Sequence, residues 1–202
     1  MKLTLRTKWI WVFGMVLFTF SAYQIMAVDK TPRQHYKTVF QDGDLEIRFY
    51  PSAHLARVKK TGNFEESRYA GFRTLAGYIF GGNAASQKIA MTAPVIYHHD
   101  TEANVADMAF VMPDEVEPGK QPNPNSQEVF FEVTQPAYYA VVSRGGWPSQ
   151  KAMQKMEKKL IEALEQKNLK TDGGFEYRYY NSPFEIFNRL TEVSIRIANY
   201  QE

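Results

Sequence analysis

The side chains most able to do chemistry in this 202-residue chain cluster in one stretch, QKIAMTAPVIYHHD, from Gln87 to Asp100. Met91 and Thr92 precede a proline at 94, and His98, His99 and Asp100 follow it. Imidazole, thioether and carboxylate groups ligate metals or move protons, so the stretch reads as a metal site, a catalytic segment or a pocket wall. Neighbouring strand residues project to opposite faces, so His98 and His99 do not readily share an ion. His54 stands beside Leu55 in another strand segment and His35 in a linker, neither with a second ligand at helical spacing. With no cysteine in the chain, disulfides, thiolate ligands and a cysteine nucleophile are excluded. Nucleophile elbow, Walker loop, dinucleotide glycine pattern and zincin helix are all missing, and a non-enzyme is expected. As a pocket wall, the stretch places Ile89, Met91, Ala93, Val95 and Tyr97 on one face of a strand over Lys88–His98, with Pro94 marking an edge or bulge. The plain alternative is that this face is core.

The elements that must carry these residues can be read from hydrophobic period. DLEIRFY and EVFFEVT alternate as half-buried strands. Asn63 is a helix N-cap with Glu66 three residues on, Phe72, Leu75, Ala76 and Ile79 form a helical stripe, and Gly81-Gly82 stops it. A second helix takes Pro148 in its first turn and carries Met153, Met156, Leu160, Ala163 and Leu164. Strands are expected at Lys88–His98 and Val105–Met112, then at Phe175–Tyr180 and Glu192–Ala198. PSAHLARVKKTGNFEES and QPAYYAVVSRGGWPSQK superpose without gaps, placing Ala53, Ala56 and Gly62 on Ala137, Ala140 and Gly146 at an offset of 84. The same offset carries residues 105–112 onto 189–196. The expected fold is α+β: a duplicated ββαββ unit forming a distorted antiparallel β-barrel flanked by two α-helices, with an N-terminal hydrophobic helix besides.

That N-terminal helix is expected within residues 1–28. Lys2, Arg6 and Lys8 precede a run from Trp9 to Val28 without Asp, Glu, Lys, Arg or His. Twenty helical residues rise about 30 Å, enough to span a bilayer core, and the cationic flank favours export of the residues beyond the run. The segment reads as a signal anchor or as a signal peptide ending at Ala27, so the remainder is expected outside the cytoplasm, membrane-anchored or secreted. A linker over 29–38 then leads into a domain over 39–200. Removing the three leading cations from the net charge of +2 leaves −1 for residues 28–202, no electrostatic footprint for nucleic acid.

KIAMTAPV, LEIRFY, the NSP at Asn181–Pro183 and the RLTEV at Arg189–Val193 occur in an order that resembles the SOUL haem-binding family, over residues 36–198. The resemblance implies a duplicated barrel flanked by two helices, a fold similar to effector-binding domains of some drug-responsive transcription regulators. It also implies binding of haem or another tetrapyrrole in a shallow apolar groove between the first helix and the Met-Thr-Pro strand. On this chain that points to Tyr69, Phe72, Ala76 and Phe80 from the helix and Met91 from the strand, with Arg73 placed to meet a propionate. Some members carry histidine between the Arg and Tyr of the first strand; Phe49 stands there here, so no iron-ligating residue is assigned. The competing readings are a scaffold or interaction protein, and an enzyme acting on a hydrophobic small molecule in the same groove.

Overall fold

A computed structural model describes residues 31–146, 149–181 and 189–200. The expected N-terminal hydrophobic helix lies outside them. Among the described residues no helix is long and apolar enough to cross a membrane. The elements run β1 (Lys37–Asp42), β2 (Leu45–Tyr50), β3 (His54–Thr61), α1 (Phe64–Ile79), β4 (Val95–Asp100), β5 (Val105–Val111), β6 (Phe130–Val133), β7 (Ala137–Gly145), α2 (Gln150–Gln166), β8 (Glu176–Tyr179) and β9 (Leu190–Arg196). The strands form one antiparallel sheet in the order β1-β2-β7-β9-β8-β4-β5-β3-β6, curled into a half-barrel. Among the described residues the fold is therefore α+β with two helices, and the barrel is open: the ladder ends at β1 and β6 instead of closing on itself.

Both helices begin as their caps dictate. Asn63 Oδ1 accepts from the Glu66 N–H at 3.0 Å, and Ser149 Oγ accepts from the Ala152 N–H at 3.3 Å. The second helix is described from Gln150, and Pro148, expected in its first turn, lies outside the described residues. α1 ends at Ile79, and Gly81 takes a φ of +112°, a left-handed conformation that glycine adopts without steric cost. Its buried side is Ser67, Gly71, Leu75, Tyr78 and Ile79, with Phe72 and Ala76 at the border. At Gly71 a Cβ would stand 3.3 Å from Met108 Cβ, so the missing side chain lets α1 lie close on β5. α2 turns Ala152, Met153, Met156, Leu160 and Leu164 inward, each large apolar side chain contributing about 1.5–3 kcal/mol on full burial. α1 packs on β3 and β5, α2 on β7 and β9. One sheet face, with Ile47, Val58, Tyr97, Met108, Val142 and Val193, forms the core beneath them.

Two strand expectations change. Lys88–His98 is not one strand: proline has no N–H for the ladder, and regular pairing starts at Val95, opposite Phe110 and Tyr179. Residues 88–94 instead make isolated bridges, Phe80 to Lys88 and Arg33 to Ala93, so the expected five-residue face is broken at Pro94. The offset of 84 also fails beyond β3 and β7. Ala56 faces Phe110 whereas Ala140 faces Ile195, so the strand partners of this pair stand 85 apart. One residue matters because it exchanges the two faces of a strand. Beyond β1, reading the sheet order from its two ends exchanges β2 with β6, β7 with β3, β9 with β5 and β8 with β4.

Candidate functional site

The six residues assigned to a groove share one region but differ in burial. Residues 69, 73, 76 and 80 recur at steps of four, three and four, so they lie along one side of α1. Tyr69 and Phe80, 63% and 62% exposed, stand at the two ends of this stripe, roughly 16 Å apart along the helix axis. Arg73 is exposed between them, and Phe72 and Ala76 are half-buried. At Gly77, beside Ala76, a Cβ would meet nothing within 4 Å, so the helix surface is open there. Phe72 also packs edge-on against Phe110 at 5.5 Å and so belongs partly to the core. The Ile89 N–H donates to Ile79 O at 2.8 Å, which ties the Met91 segment to the C-terminal end of α1. Met91 is half-buried against the core. Arg68, next to the stripe, lies over the Tyr69 and Tyr179 rings at 4.7 and 5.7 Å. Its buried Nε has no hydrogen-bond partner among the described residues. The stripe is largely exposed at Tyr69, Arg73 and Phe80, and it contributes to none of three clefts of about 440, 260 and 250 Å³ elsewhere on the molecule.

The histidines do not converge. His54 Nδ1 bonds Val116 O at 3.2 Å, His98 Nδ1 bonds Phe175 O at 2.7 Å and His99 Nε2 bonds Gly62 O at 3.1 Å. His35 stands 3.6 Å from Asp114 at the surface. Among the described residues no group of three or more metal-ligating side chains could hold an ion. Phe49 packs on Tyr138 at 5.2 Å, in the half of the sheet that α2 covers. The position at which some family members carry histidine is therefore not on the α1 stripe. Thr92 is buried and its hydroxyl donates to Val111 O, which pins the Met-Thr-Ala-Pro segment to β5.

The sheet's other face carries what sequence reasoning missed. Strand alternation turns Arg48, Tyr50, Tyr139, Arg178, Glu192 and Ser194 away from both helices, and the curl buries Arg48, Arg178 and Glu192 to 3%, 2% and 2% exposure. Arg48 Nη1 donates to both Glu192 oxygens at 2.9 and 3.0 Å, and its Nε donates to Glu46 at 2.8 Å. Glu192 also accepts from Ser143 Oγ at 3.1 Å and Tyr180 Oη at 2.8 Å. Burial alone would lower the Arg48 guanidinium, but the Glu46 hydrogen bond and the Glu192 charge outweigh it and raise it. Arg178 is raised likewise, against its burial, chiefly by Glu176. Burial pushes the Tyr139 phenol up to about 12. Two motifs singled out in the sequence, LEIRFY and RLTEV, thus meet as a buried ion pair between residues 144 positions apart.

Residues 32–36 belong to this network and are no free linker. The Gln34 N–H donates to Ala93 O at 2.7 Å and the Ala93 N–H to Pro32 O at 2.8 Å. The Gln34 side-chain oxygen accepts from Arg178 at 3.1 Å, and the Tyr36 ring lies under the Arg48 guanidinium at 4.2 Å. The alternation of LEIRFY could have flagged Arg48 as facing away from Leu45 and Ile47; nothing local in the sequence named its partner.

A model of the SOUL heme-binding protein family matches residues 31–196. Heme-binding protein 2 of Mus musculus is 29% identical over 161 residues, 76% of this chain and 78% of that protein. The Homo sapiens protein of the same name is 28% identical over 159 residues with the same coverage. The crystal structure of the EcmrR C-terminal domain is similar in fold, with a TM-score of 0.60 at 14% identity, covering 82% of this chain and 99% of that one. With one family model spanning β1 to β9, the chain belongs to the SOUL heme-binding protein family.

Proposed function

We propose that the α1 stripe of Tyr69, Phe72, Arg73, Ala76 and Phe80, with Met91 beside it, binds haem or another tetrapyrrole by apolar contact. The observation that carries this is the pair of large aromatic side chains left mostly in solvent on one helix face, with Ala76 and Gly77 among the residues between them. A flat, largely apolar ligand removes that surface from water, which is the main favourable term available on an exposed stripe. Arg73 sits within the stripe as the partner for a propionate, a charge-assisted contact that a planar guanidinium makes well. Membership of the SOUL family and the name of the two Heme-binding protein 2 relatives support the ligand class. None of the residues of the stripe is a histidine, and His54, His98 and His99 are bonded to three separate backbone carbonyls away from it, so no axial histidine is assigned to the site. Iron supplies redox and ligand-exchange chemistry when bound; the side chains named here hold the macrocycle and exclude water from one of its faces.

Two further parts of the reading concern placement and ancestry. The cationic flank and apolar run of residues 1–28 support a signal anchor that holds the domain outside the cytoplasm, with cleavage after Ala27 as the alternative. The reversible strand order supports reading β2-β3-α1-β4-β5 and β6-β7-α2-β8-β9 as two copies of one unit that exchange their first strands.

The test of the ligand reading is a titration of the full chain, in detergent, with haem and with iron-free protoporphyrin. A protein with His35, His54, His98 and His99 all changed to Ala is compared by absorbance. Both porphyrins are expected to bind both proteins with similar affinity. Loss of haem by the folded quadruple variant, or failure of the iron-free porphyrin to bind, establishes histidine ligation and refutes the apolar account. If neither porphyrin binds the unaltered protein at micromolar concentration, the scaffold reading takes its place.

A further inference from the structure

The sheet face turned away from the helices carries a cleft of about 260 Å³, lined by Tyr50, Tyr139, Arg178, Arg196, Leu55 and Ile96 among others. Its floor is apolar where Leu55, Ala109 and Ile96 pack together. Three cations line it, Arg57, Arg178 and Arg196, against two carboxylates, Glu132 and Glu176. Arg57 is committed, its guanidinium paired with Asp107 at 2.7 Å and with Glu132. Arg196 is half-exposed, and its ion pair with Asp172 is long at 3.7 Å.

Arg178 is the unusual member. The Tyr50 and Tyr139 rings flank its guanidinium at 4.4 and 4.9 Å and meet each other edge to face at 5.5 Å, so water has little access to it. Its Nε donates to Ser194 Oγ at 2.9 Å and its Nη2 to Glu176 at 2.7 Å. The third and longest bond, 3.1 Å, runs to the neutral side-chain oxygen of Gln34. Gln34 comes from the N-terminal strap and forms part of the cleft wall. A buried cation bonded to a neutral amide oxygen in a cleft wall is a place where a carboxylate binds better, since a carboxylate adds an ion pair to the hydrogen bond and matches the guanidinium fork. The strap need not leave: Gln34 is anchored through its backbone to Ala93, and only the side chain has to swing aside.

We propose that this cleft is a second ligand site, for a small planar carboxylic acid of single-ring size. The carboxylate takes the place of the Gln34 oxygen on Arg178, Arg196 completes the charge at the rim, and the ring lies on the Leu55–Ile96 floor. The volume is below the ~300–1,000 Å³ of drug-sized pockets, so a tetrapyrrole does not enter. The site therefore stands apart from the α1 stripe, on the other face of the sheet, and does not depend on that reading.

The test uses benzoate as probe, titrated by calorimetry into the full chain in detergent and into three variants. One benzoate per chain is expected for the unaltered protein. Gln34→Glu, which supplies a carboxylate from the strap itself, is expected to weaken binding at least tenfold. Gln34→Ala should bind as well or better, and Arg196→Gln several-fold more weakly. Because Gln34 is only half-buried and Arg196 is exposed, whereas Arg178 is buried, these changes avoid the unfolding that a change at Arg178 risks. Benzyl alcohol, the neutral analogue, should not bind. Absence of benzoate binding by both the unaltered protein and Gln34→Ala at millimolar probe overturns the proposal, and so does binding that Gln34→Glu leaves unchanged.

Discussion

Truncating Phe80 separates a ligand-binding stripe from a merely exposed one. A phenylalanine side chain carries roughly 200 Å²; with 62% of it in solvent, about 120 Å² is open, and a flat ligand covers about half of that. At about 25 cal/mol per Å² the covered 60 Å² or so is worth ~1.5 kcal/mol, close to tenfold in Kd. Tyr69 is exposed to the same degree, so Tyr69→Ala is expected to have a similar effect. Stability should move by no more than ~0.5 kcal/mol in either variant, as for other surface substitutions. Phe72→Ala must behave differently, because Phe72 is half in the core against Phe110: it should lose affinity and also ~2–4 kcal/mol of stability. Haem titration by absorbance, paired with denaturant unfolding of the same samples, reads both quantities. Phe40→Ala, at an aromatic exposed on β1, is the control and should change neither by much. If Phe80→Ala and Tyr69→Ala bind haem as the unaltered protein does, or if Phe40→Ala weakens it equally, the ligand does not lie on α1.

The remaining expectations concern the buried network, the tyrosines and the N-terminus. Glu192→Gln removes the more deeply buried of the two carboxylates paired with Arg48, leaving Glu46, and should cost ~3 kcal/mol, lowering the melting temperature by roughly 6–12 °C. Arg48→Met combined with Glu192→Leu should cost less than either single loss of charge, and a fully additive double variant would show that the pair is not coupled. Burial raises the phenols of Tyr97, Tyr177, Tyr179 and Tyr180, and takes Tyr139 to about 12. The unfolded chain therefore releases those protons first, near pH ~10, so stability is retained below that pH and lost as pH climbs toward the folded values. Urea midpoints should fall above pH ~10 while absorbance near 295 nm shows fewer phenolates than the 12 tyrosines of the chain. A reporter active only after export, fused behind Glu202, should work, whereas activity of a cytoplasm-restricted reporter at that position contradicts the anchor and signal readings alike.

Both helices were legible because their determinants are local. Asn63 and the Gly81-Gly82 pair bracket α1, and the Met153–Leu164 stripe is the buried side of α2. Strands were legible as segments and less so as edges. The alternation through Ile89, Met91 and Ala93 mimics a strand, yet pairing begins only after Pro94, and alternation cannot report whether a partner strand is in reach. The repeat offset was read from β3 and β7, where it holds, and extended to β5 and β9, where hydrogen-bond register makes it 85. Gap-free superposition has no means of sensing one inserted residue. The strap at residues 32–36 was invisible for another reason: its contacts with Ala93, Arg178 and Arg48 are isolated bonds and ring contacts, without period.

The candidate sites show the same division between local and long-range information. Tyr69, Arg73 and Phe80 could be placed on one face of a helix from spacing alone, and they lie there. Whether such a face is covered depends on the curl of a sheet whose neighbours are far apart in sequence, as β2 and β7 are. The motifs that mark the family illustrate the consequence. Arg48 of LEIRFY and Glu192 of RLTEV spend their charges on each other, and the threonine of KIAMTAPV spends its hydroxyl on Val111. These side chains hold the half-barrel in its curl and do not point at the α1 stripe. A motif built from such residues identifies the fold strongly and the ligand only weakly. The ligand must be read from what the motifs leave unsatisfied: two aromatic side chains in solvent on α1, and a buried guanidinium whose third bond goes to a neutral amide.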